Sequence, residues 1–328
     1  MRKNSGGFVY VLITCLVFLN VFVYSKIITN HIPEANYEKA ESGAGNAVET
    51  DDGGGRANTL DENHKYINAA DADVKSGNLI LVNASYPYDF DASPSVSPKE
   101  DPVSVYYNKT DSYFVKDINV SLNPTTITAF NGLMDAFYEK VGKKCVIITQ
   151  GHRTYDEQKE MLDLKVAQYG EDQKVAQKPG FSEHHTGYAL DISTYENQIM
   201  GTFTGEDDYA FVHENAHKYG FILRYPEEKE DVTGISYEPW HLRYVGIPHS
   251  IYIYENGITL EEYIKLLSLY PFESGHLKIQ DKDTGEEYEV YSVKSEGKAT
   301  PVPVPKDENA VYSVSGEKAG NIIVTIQK

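Results

Sequence analysis

The sequence predicts an α+β protein, with helices packed against an antiparallel sheet, a small all-β module at the C-terminal end and a transmembrane anchor at the N-terminal end. Three observations predict it. Between about residues 120 and 270, segments of helical period alternate with short apolar runs. After residue 273 only short strand signals separated by turn residues remain. Ahead of both, Arg2 and Lys3 precede a continuous apolar run, Phe8–Tyr24.

That run is at the lower limit of the ~17–25 residues that span a bilayer. Its positive flank predicts a cytoplasmic N-terminus and an exported body. The rival expectation is a signal peptide cleaved after Ser25. Residues 1–28 are therefore read as tip and anchor or signal. Residues 29–75 are read as a flexible acidic linker, because they carry Gly53-Gly54-Gly55, an excess of acidic side chains and few large apolar ones. Such a composition buries too little surface to offset the entropy of ordering.

The main domain is expected over 76–272. Leu79–Val82 and Val103–Tyr107 give strand signals, with a surface arm between them. Ile127, Phe130, Met134, Phe137 and Val141 share one helical face, and Gly142 follows as a C-cap. Residues 145–149 read as a buried strand. Thr154 and Glu157 have capping-box spacing for a helix ending near Gly170, which places Arg153 on the loop entering that helix. Tyr188–Ser193 reads as a strand, 206–219 as a helix closed by Gly220, and Phe221–Arg224 and Trp240–Val245 as strands. Thr259 and Glu262 open a last helix. The C-terminal module, 273–328, is expected to hold four strands, with Thr300–Pro305 as polyproline II.

Composition excludes some functions. The chain of 328 residues has 49 acidic and 30 basic residues, a net charge of −19, which argues against nucleic-acid binding. Its two cysteines, Cys15 and Cys145, lie in unrelated apolar segments and predict neither a disulfide nor a cysteine metal site.

The chemistry concentrates in two clusters. Ser182-Glu-His-His-Thr-Gly-Tyr-Ala-Leu-Asp191 places His184 and Asp191 seven residues apart around Gly187. Glu238-Pro-Trp-His-Leu-Arg243 adds His241 and a further carboxylate. Two imidazoles and a carboxylate are a ligand set for a catalytic zinc that leaves one position open to water, and Glu238 is then a base for that water. Adjacent strand residues face opposite ways, so only one of His184 and His185 is expected at the metal, and spacing does not choose. Pro239 disfavours a helical Glu238, so a bend must aim Glu238 and His241.

Ser-x-His-x-x-Gly-x-Ala-x-Asp followed by Glu-Pro-Trp-His-x-Arg resembles the VanY-type D-alanyl-D-alanine carboxypeptidases, zinc peptidases of bacterial cell-wall peptides, over about residues 120–270. Gly151-His-Arg153-Thr-Tyr155-x-x-Gln158 resembles the family's Gly-Tyr-Arg-Ser-Tyr-x-x-Gln segment, with His152 where Tyr is usual and Thr154 where Ser is usual. The resemblance implies zinc on His184, Asp191 and His241, with Glu238 as general base. It also implies Arg153 at the peptide carbonyl, and Gln158 and Ser182 lining the peptide groove. The implied partner is the peptidoglycan stem peptide, cut at its C-terminal D-alanine outside the membrane. The same ligands serve L,D-carboxypeptidases, D,D-dipeptidases and cross-bridge endopeptidases. A reading of another class is an inactive wall-binding module, against which an intact Glu238 argues.

Overall fold

A computed structural model describes residues 62–173 and 176–328. The apolar run Phe8–Tyr24 and most of the expected linker lie outside the described residues. Among the described residues no helix is long and apolar enough to cross a membrane.

In chain order the strands and helices begin with β1 (His64–Ala69), β2 (Val103–Ser104), α1 (Val105–Asn108), β3 (Phe114–Val115), β4 (Ser121–Leu122), α2 (Pro124–Val141), β5 (Val146–Gln150) and α3 (Tyr155–Tyr169). The site-bearing part continues with β6 (Ala189–Glu196), β7 (Ile199–Gly201), α4 (Ala210–Asn215), β8 (Phe221–Leu223), α5 (Glu230–Thr233), β9 (His241–Tyr244), α6 (His249–Asn256) and α7 (Leu260–Leu267). The C-terminal strands are β10 (Leu277–Gln280), β11 (Glu287–Lys294), β12 (Thr300–Pro305), β13 (Tyr312–Gly316) and β14 (Asn321–Gln327).

The main sheet has the order β3-β5-β6-β9-β8, with β7 paired to β6. It is mixed rather than wholly antiparallel, because the edge strand β3 runs parallel to β5. One face is covered by α2. Its apolar residues Ile127, Phe130, Met134 and Phe137 pack on Val146, Ile148, Leu190, Ile192, Phe221 and Leu242, the face that the helical period selects. Gly142 closes α2 in the left-handed region, φ 74°, where a side chain would be strained.

A second core joins this domain to the C-terminal strands. Ile222, Val245 and the α7 residues Leu260, Tyr263, Ile264 and Leu267 pack on Leu277, Ile279, Val290 and Ile323. The opposite face of the β10-β11-β14-β13 sheet packs on Val302 and Val304 of β12. Segment 273–328 is thus a second layer of the same compact unit, sharing one core with the main domain and building another with Ala69 and Val74. His249 spans the junction. Its Nδ1 meets the Tyr263 hydroxyl at 2.8 Å and its Nε2 meets Thr325 Oγ1 at 3.1 Å. Burial pushes it down to about 3, so the imidazole is neutral.

Several local expectations are corrected. The expected linker ends earlier than residue 75, because His64–Ala69 pairs antiparallel with Thr300–Pro305. That pairing also replaces the expected polyproline II. With proline at 301, 303 and 305, the remaining N–H groups of β12 all point to one edge, which suits a strand with a single partner. Leu79–Val82 is buried but is not a strand. Its backbone is satisfied by Ser315 Oγ, by the Glu317 carbonyl and by Arg243, which donates to the Asn78 and Ile80 carbonyls at 2.9 Å each. Val103–Tyr107 breaks after Ser104 into the short helix α1, leaving Tyr106 and Tyr107 exposed. The helix expected over 206–219 is cut into α4 and two flanking 3-10 turns.

The shared core carries a prediction. Ile323→Ala in the C-terminal sheet should destabilise the whole unit by about 2–5 kcal/mol. Trp240, the single tryptophan, sits beside the other core and reports on the catalytic half. Urea unfolding followed by Trp240 fluorescence and by far-UV circular dichroism should shift together. A Trp240 transition that stays in place would show that the two layers unfold independently.

Candidate active site

Three segments converge at the β6–β9 edge of the main sheet. Asp191 and His241 sit directly opposite each other on these antiparallel strands, so their side chains leave the sheet on one face at cross-strand contact distance. His241 Nδ1 lies 2.9 Å from Asp191 Oδ1. The third group, His184, comes from a 3-10 turn, Glu183–Thr186, and its Nε2 lies 3.4 Å from Asp191 Oδ2. The ligand atoms of His184, Asp191 and His241 all lie within 4.8 Å of one another.

The turn is held from several sides. Ser182 Oγ accepts from the His184 N–H, and Thr186 Oγ1 donates to the Glu183 carbonyl. Asn123 donates to the Thr186 carbonyl at 3.0 Å. Gly187 closes the turn at φ 71°, and a Cβ there would collide with the Asn123 side chain. Because the segment is a 3-10 turn and not a strand, His184 and His185 are not simply on opposite faces. Their hydrogen bonds decide between them. His184 Nδ1 donates to the Gly151 carbonyl at 2.7 Å, which leaves the Nε2 lone pair facing Asp191. His185 spends both nitrogens elsewhere, donating to the Arg153 carbonyl at 2.7 Å and accepting from Gly180 N–H at 3.0 Å.

Glu238 and His241 are aimed by a turn. The His241 N–H donates to the Glu238 carbonyl at 3.1 Å, with Pro239 at the second position of the turn. His213 donates to the Pro239 carbonyl at 2.7 Å and steadies the bend. Glu238 Oε2 ends 3.8 Å from His241 Nδ1.

The imidazoles of His184 and His241 are nearly closed off, 3% and 5% exposed, whereas Asp191 and Glu238 retain 18% and 13%. The site therefore opens to solvent on its carboxylate side. Burial pushes Glu238 up to about 7 and His184 down to about 4. Burial opposes the charges on Asp191 and His241, but their neighbours prevail. His184 and then His241 hold Asp191 well below the carboxylate range, and the carboxylates of Asp191 and Glu183 raise His241 to about 9.

Arg153 lies on the loop between β5 and α3, just before the capping box of Thr154 and Glu157, both arms of which are formed. Its buried Nε has no hydrogen-bond partner among the described residues, and it feels the charges of Asp191 and Glu238. Gln158 is buried and donates to the Gln177 carbonyl at 2.7 Å, tying α3 to the segment that leads into the Ser182 turn. Ser182 is buried as the cap of the His184 turn. Trp240 packs at the margin of the α2 core.

Sequence reasoning missed a buried charge cluster beneath the site. Glu183, 2% exposed, takes Arg224 Nε on Oε1 at 2.8 Å, and Arg243 Nη1 approaches the same oxygen at 2.9 Å. The Arg243 contact is a charge contact without hydrogen-bond alignment. Arg224 is also clamped by Glu261 through bonds of 2.9 and 2.6 Å. The available signal was an arginine closing one apolar strand run, Arg224, and another inside a second, Arg243, each of which demands a buried partner.

A family model described as VanY, D-alanyl-D-alanine carboxypeptidase, matches residues 119–247. A D-alanyl-D-alanine carboxypeptidase of Enterococcus faecium is 33% identical over 265 residues, covering 81% of this chain and 80% of that protein. The chain belongs to the VanY-type D-alanyl-D-alanine carboxypeptidases. VanXYC of Enterococcus gallinarum, described as a bifunctional D-Ala-D-Ala dipeptidase and D-Ala-D-Ala carboxypeptidase, is 39% identical over 127 residues, 37% of this VanY-type chain and 67% of its own length. Among solved structures, the vancomycin-resistance D,D-dipeptidase VanXYg in complex with a D-Ala-D-Ala phosphinate analogue matches with a TM-score of 0.69 at 29% identity. That match covers 81% of this VanY-type chain and 99% of VanXYg.

The Gly187 turn generates a prediction. Gly187→Ala should lower stability by about 1–3 kcal/mol, because it forces a left-handed alanine against Asn123. Urea titration checks this, and an unchanged midpoint would mean that the turn is free to rearrange.

Proposed function

We propose that this carboxypeptidase removes the C-terminal D-alanine of peptidoglycan stem peptides by zinc-dependent hydrolysis, with Glu238 as general base. The observation that carries the reading is the convergence of His184, Asp191 and His241 beside a carboxylate that burial raises to about 7.

The residues fit zinc. His184 presents Nε2 because its other nitrogen is tied to Gly151, His241 presents Nδ1, and Asp191 lies between them. Two imidazoles and a carboxylate with one side open to solvent form a catalytic rather than a structural donor set. When bound, zinc would acidify a water and polarise the scissile carbonyl.

Glu238 takes the proton of the attacking water as its oxygen bonds to the carbonyl carbon. Glu238 then delivers that proton to the nitrogen of the departing D-alanine as the C–N bond breaks. Its raised pKa suits both steps, because a group that titrates near the working pH both accepts and returns a proton. Arg153, whose buried Nε lacks a partner among the described residues, is placed to donate to the carbonyl oxygen as negative charge grows on it. Gln158 acts by fixing the 171–181 loop as a groove wall, and Ser182 by capping the turn that presents His184. The positive flank of Phe8–Tyr24 supports a single-pass anchor with this domain outside the cell.

A second reading, D,D-dipeptidase activity, is favoured by the match to VanXYg. Both readings are tested by incubating the full chain and zinc with a pentapeptide stem, a tetrapeptide stem and free D-Ala-D-Ala, and identifying released D-alanine by mass. Release from the pentapeptide alone is expected. Cleavage of the free dipeptide establishes the second reading, and release from the tetrapeptide alone overturns both in favour of an L,D-carboxypeptidase. Glu238→Gln should cost about 10²–10⁴-fold in kcat while zinc binding persists. Turnover close to the parent would remove Glu238 from the mechanism.

A further inference from the structure

Glu183 sits next to the ligand His184 in sequence, yet its side chain turns toward the other histidine. Its Oε2 lies 3.8 Å from His241 Nε2. Both atoms are buried, and neither has a hydrogen-bond partner among the described residues. An unpartnered buried polar atom costs about 1–3 kcal/mol, so two facing each other call for an occupant. One proton on His241 Nε2 would satisfy both once the 3.8 Å gap closes to hydrogen-bond distance. An imidazole that commits its Nδ1 lone pair to a metal carries its single proton on Nε2, the atom that faces Glu183.

We propose that Glu183 is a positioning residue for His241, accepting its Nε2–H when zinc occupies Nδ1. The inference rests on the zinc reading above. The carboxylate is suited to the task because it cannot turn away. Its other oxygen is held by Arg224 and Arg243. Arg224 is anchored by Glu261, and Arg243 by the carbonyls of Tyr244, Asn78 and Ile80. The two guanidinium groups beside its other oxygen favour the charged carboxylate, which can only accept. A carboxylate on the outer nitrogen of a ligating imidazole fixes the ring and its tautomer and raises the basicity of the ligating nitrogen. One short turn then serves both histidines, binding through His184 and orienting His241 through Glu183.

The test uses the full chain. Zinc affinity is measured by competition with a chromogenic chelator, kcat and KM are measured on the pentapeptide at saturating zinc, and circular dichroism follows folding. Glu183→Gln removes the charge. Glu183→Asp keeps the charge between the arginines but draws the carboxylate back from His241. Both should weaken zinc binding by about 10–100-fold and lower kcat with little change in KM. In the zinc-loaded parent, a histidine ¹⁵N-edited spectrum should show a slowly exchanging, hydrogen-bonded Nε2–H on His241. Parental zinc affinity in a folded variant overturns the proposal. If neither variant folds, the spectrum decides, and its lack of that N–H signal overturns the proposal as well. A parent that binds zinc while its variants do so equally well removes only the role of Glu183. A parent that binds no zinc removes the zinc mechanism and this role together.

Discussion

The constraint on which the structure depends is the burial of four charges that can be accommodated only together. Glu183, Arg224, Arg243 and Glu261 come from a 3-10 turn, the end of β8, β9 and the first turn of α7. Separately, each would be costly to bury, and removing one partner of such a cluster strands the rest at about 3–5 kcal/mol. Together they are neutral, and each contact joins two segments. Arg243 also satisfies the Asn78 and Ile80 carbonyls in a segment that belongs to no strand. The cluster therefore sets where the turn sits relative to β9, and with it the separation between His184 and His241.

Above this base, the site follows from sheet geometry. Asp191 and His241 are cross-strand neighbours, so their contact is built into the β6–β9 register. A one-residue slip would send one of them to the opposite face. The registering core on the other side, Leu190, Ile192 and Leu242 against α2, opposes such a slip by burying alternate residues of the same strands. Packing on one face of the sheet and chemistry on the other are thus two consequences of a single period of two.

The site also divides its burial by task. The two imidazoles are shielded, and burial lowers His184 to about 4 and keeps its nitrogen free of a proton, whereas against the same burial the carboxylates of Asp191 and Glu183 raise His241. Glu238 is less enclosed than either imidazole, yet desolvation still brings it into the range useful for proton transfer. Arg153 occupies the loop opposite, with a buried donor unspent. Desolvation disfavours charge, so one environment lowers the His184 imidazole and raises the Glu238 carboxyl together.

Much of this was legible in the amino-acid order. The helical period over 127–141, the capping boxes at Thr154 and Thr259, and the alternation in 277–280, 287–294 and 321–327 are local signals, and local signals survive reading one residue at a time. Asp191, His241 and a histidine from the pair at 184 and 185 were also legible, because two imidazoles and a carboxylate near glycine and tryptophan form an uncommon grouping. The choice between His184 and His185 was not, because it turns on whether the segment is a strand or a 3-10 turn and on carbonyls 30 residues away. Glu183 was invisible for the same reason: its partners Arg224 and Arg243 are remote in sequence, and only the folded chain brings them together. The pairing of His64–Ala69 with Thr300–Pro305 joins the two ends of the described chain, and its proline-rich partner has no strand signal of its own. Sequence by itself determined most helices and strands around the site and its candidate residues, because both reside in near neighbours. Tertiary structure alone decided which of the two adjacent histidines faces Asp191 and which carboxylate lies behind His241, because those outcomes depend on the few hydrogen bonds a buried polar atom can find.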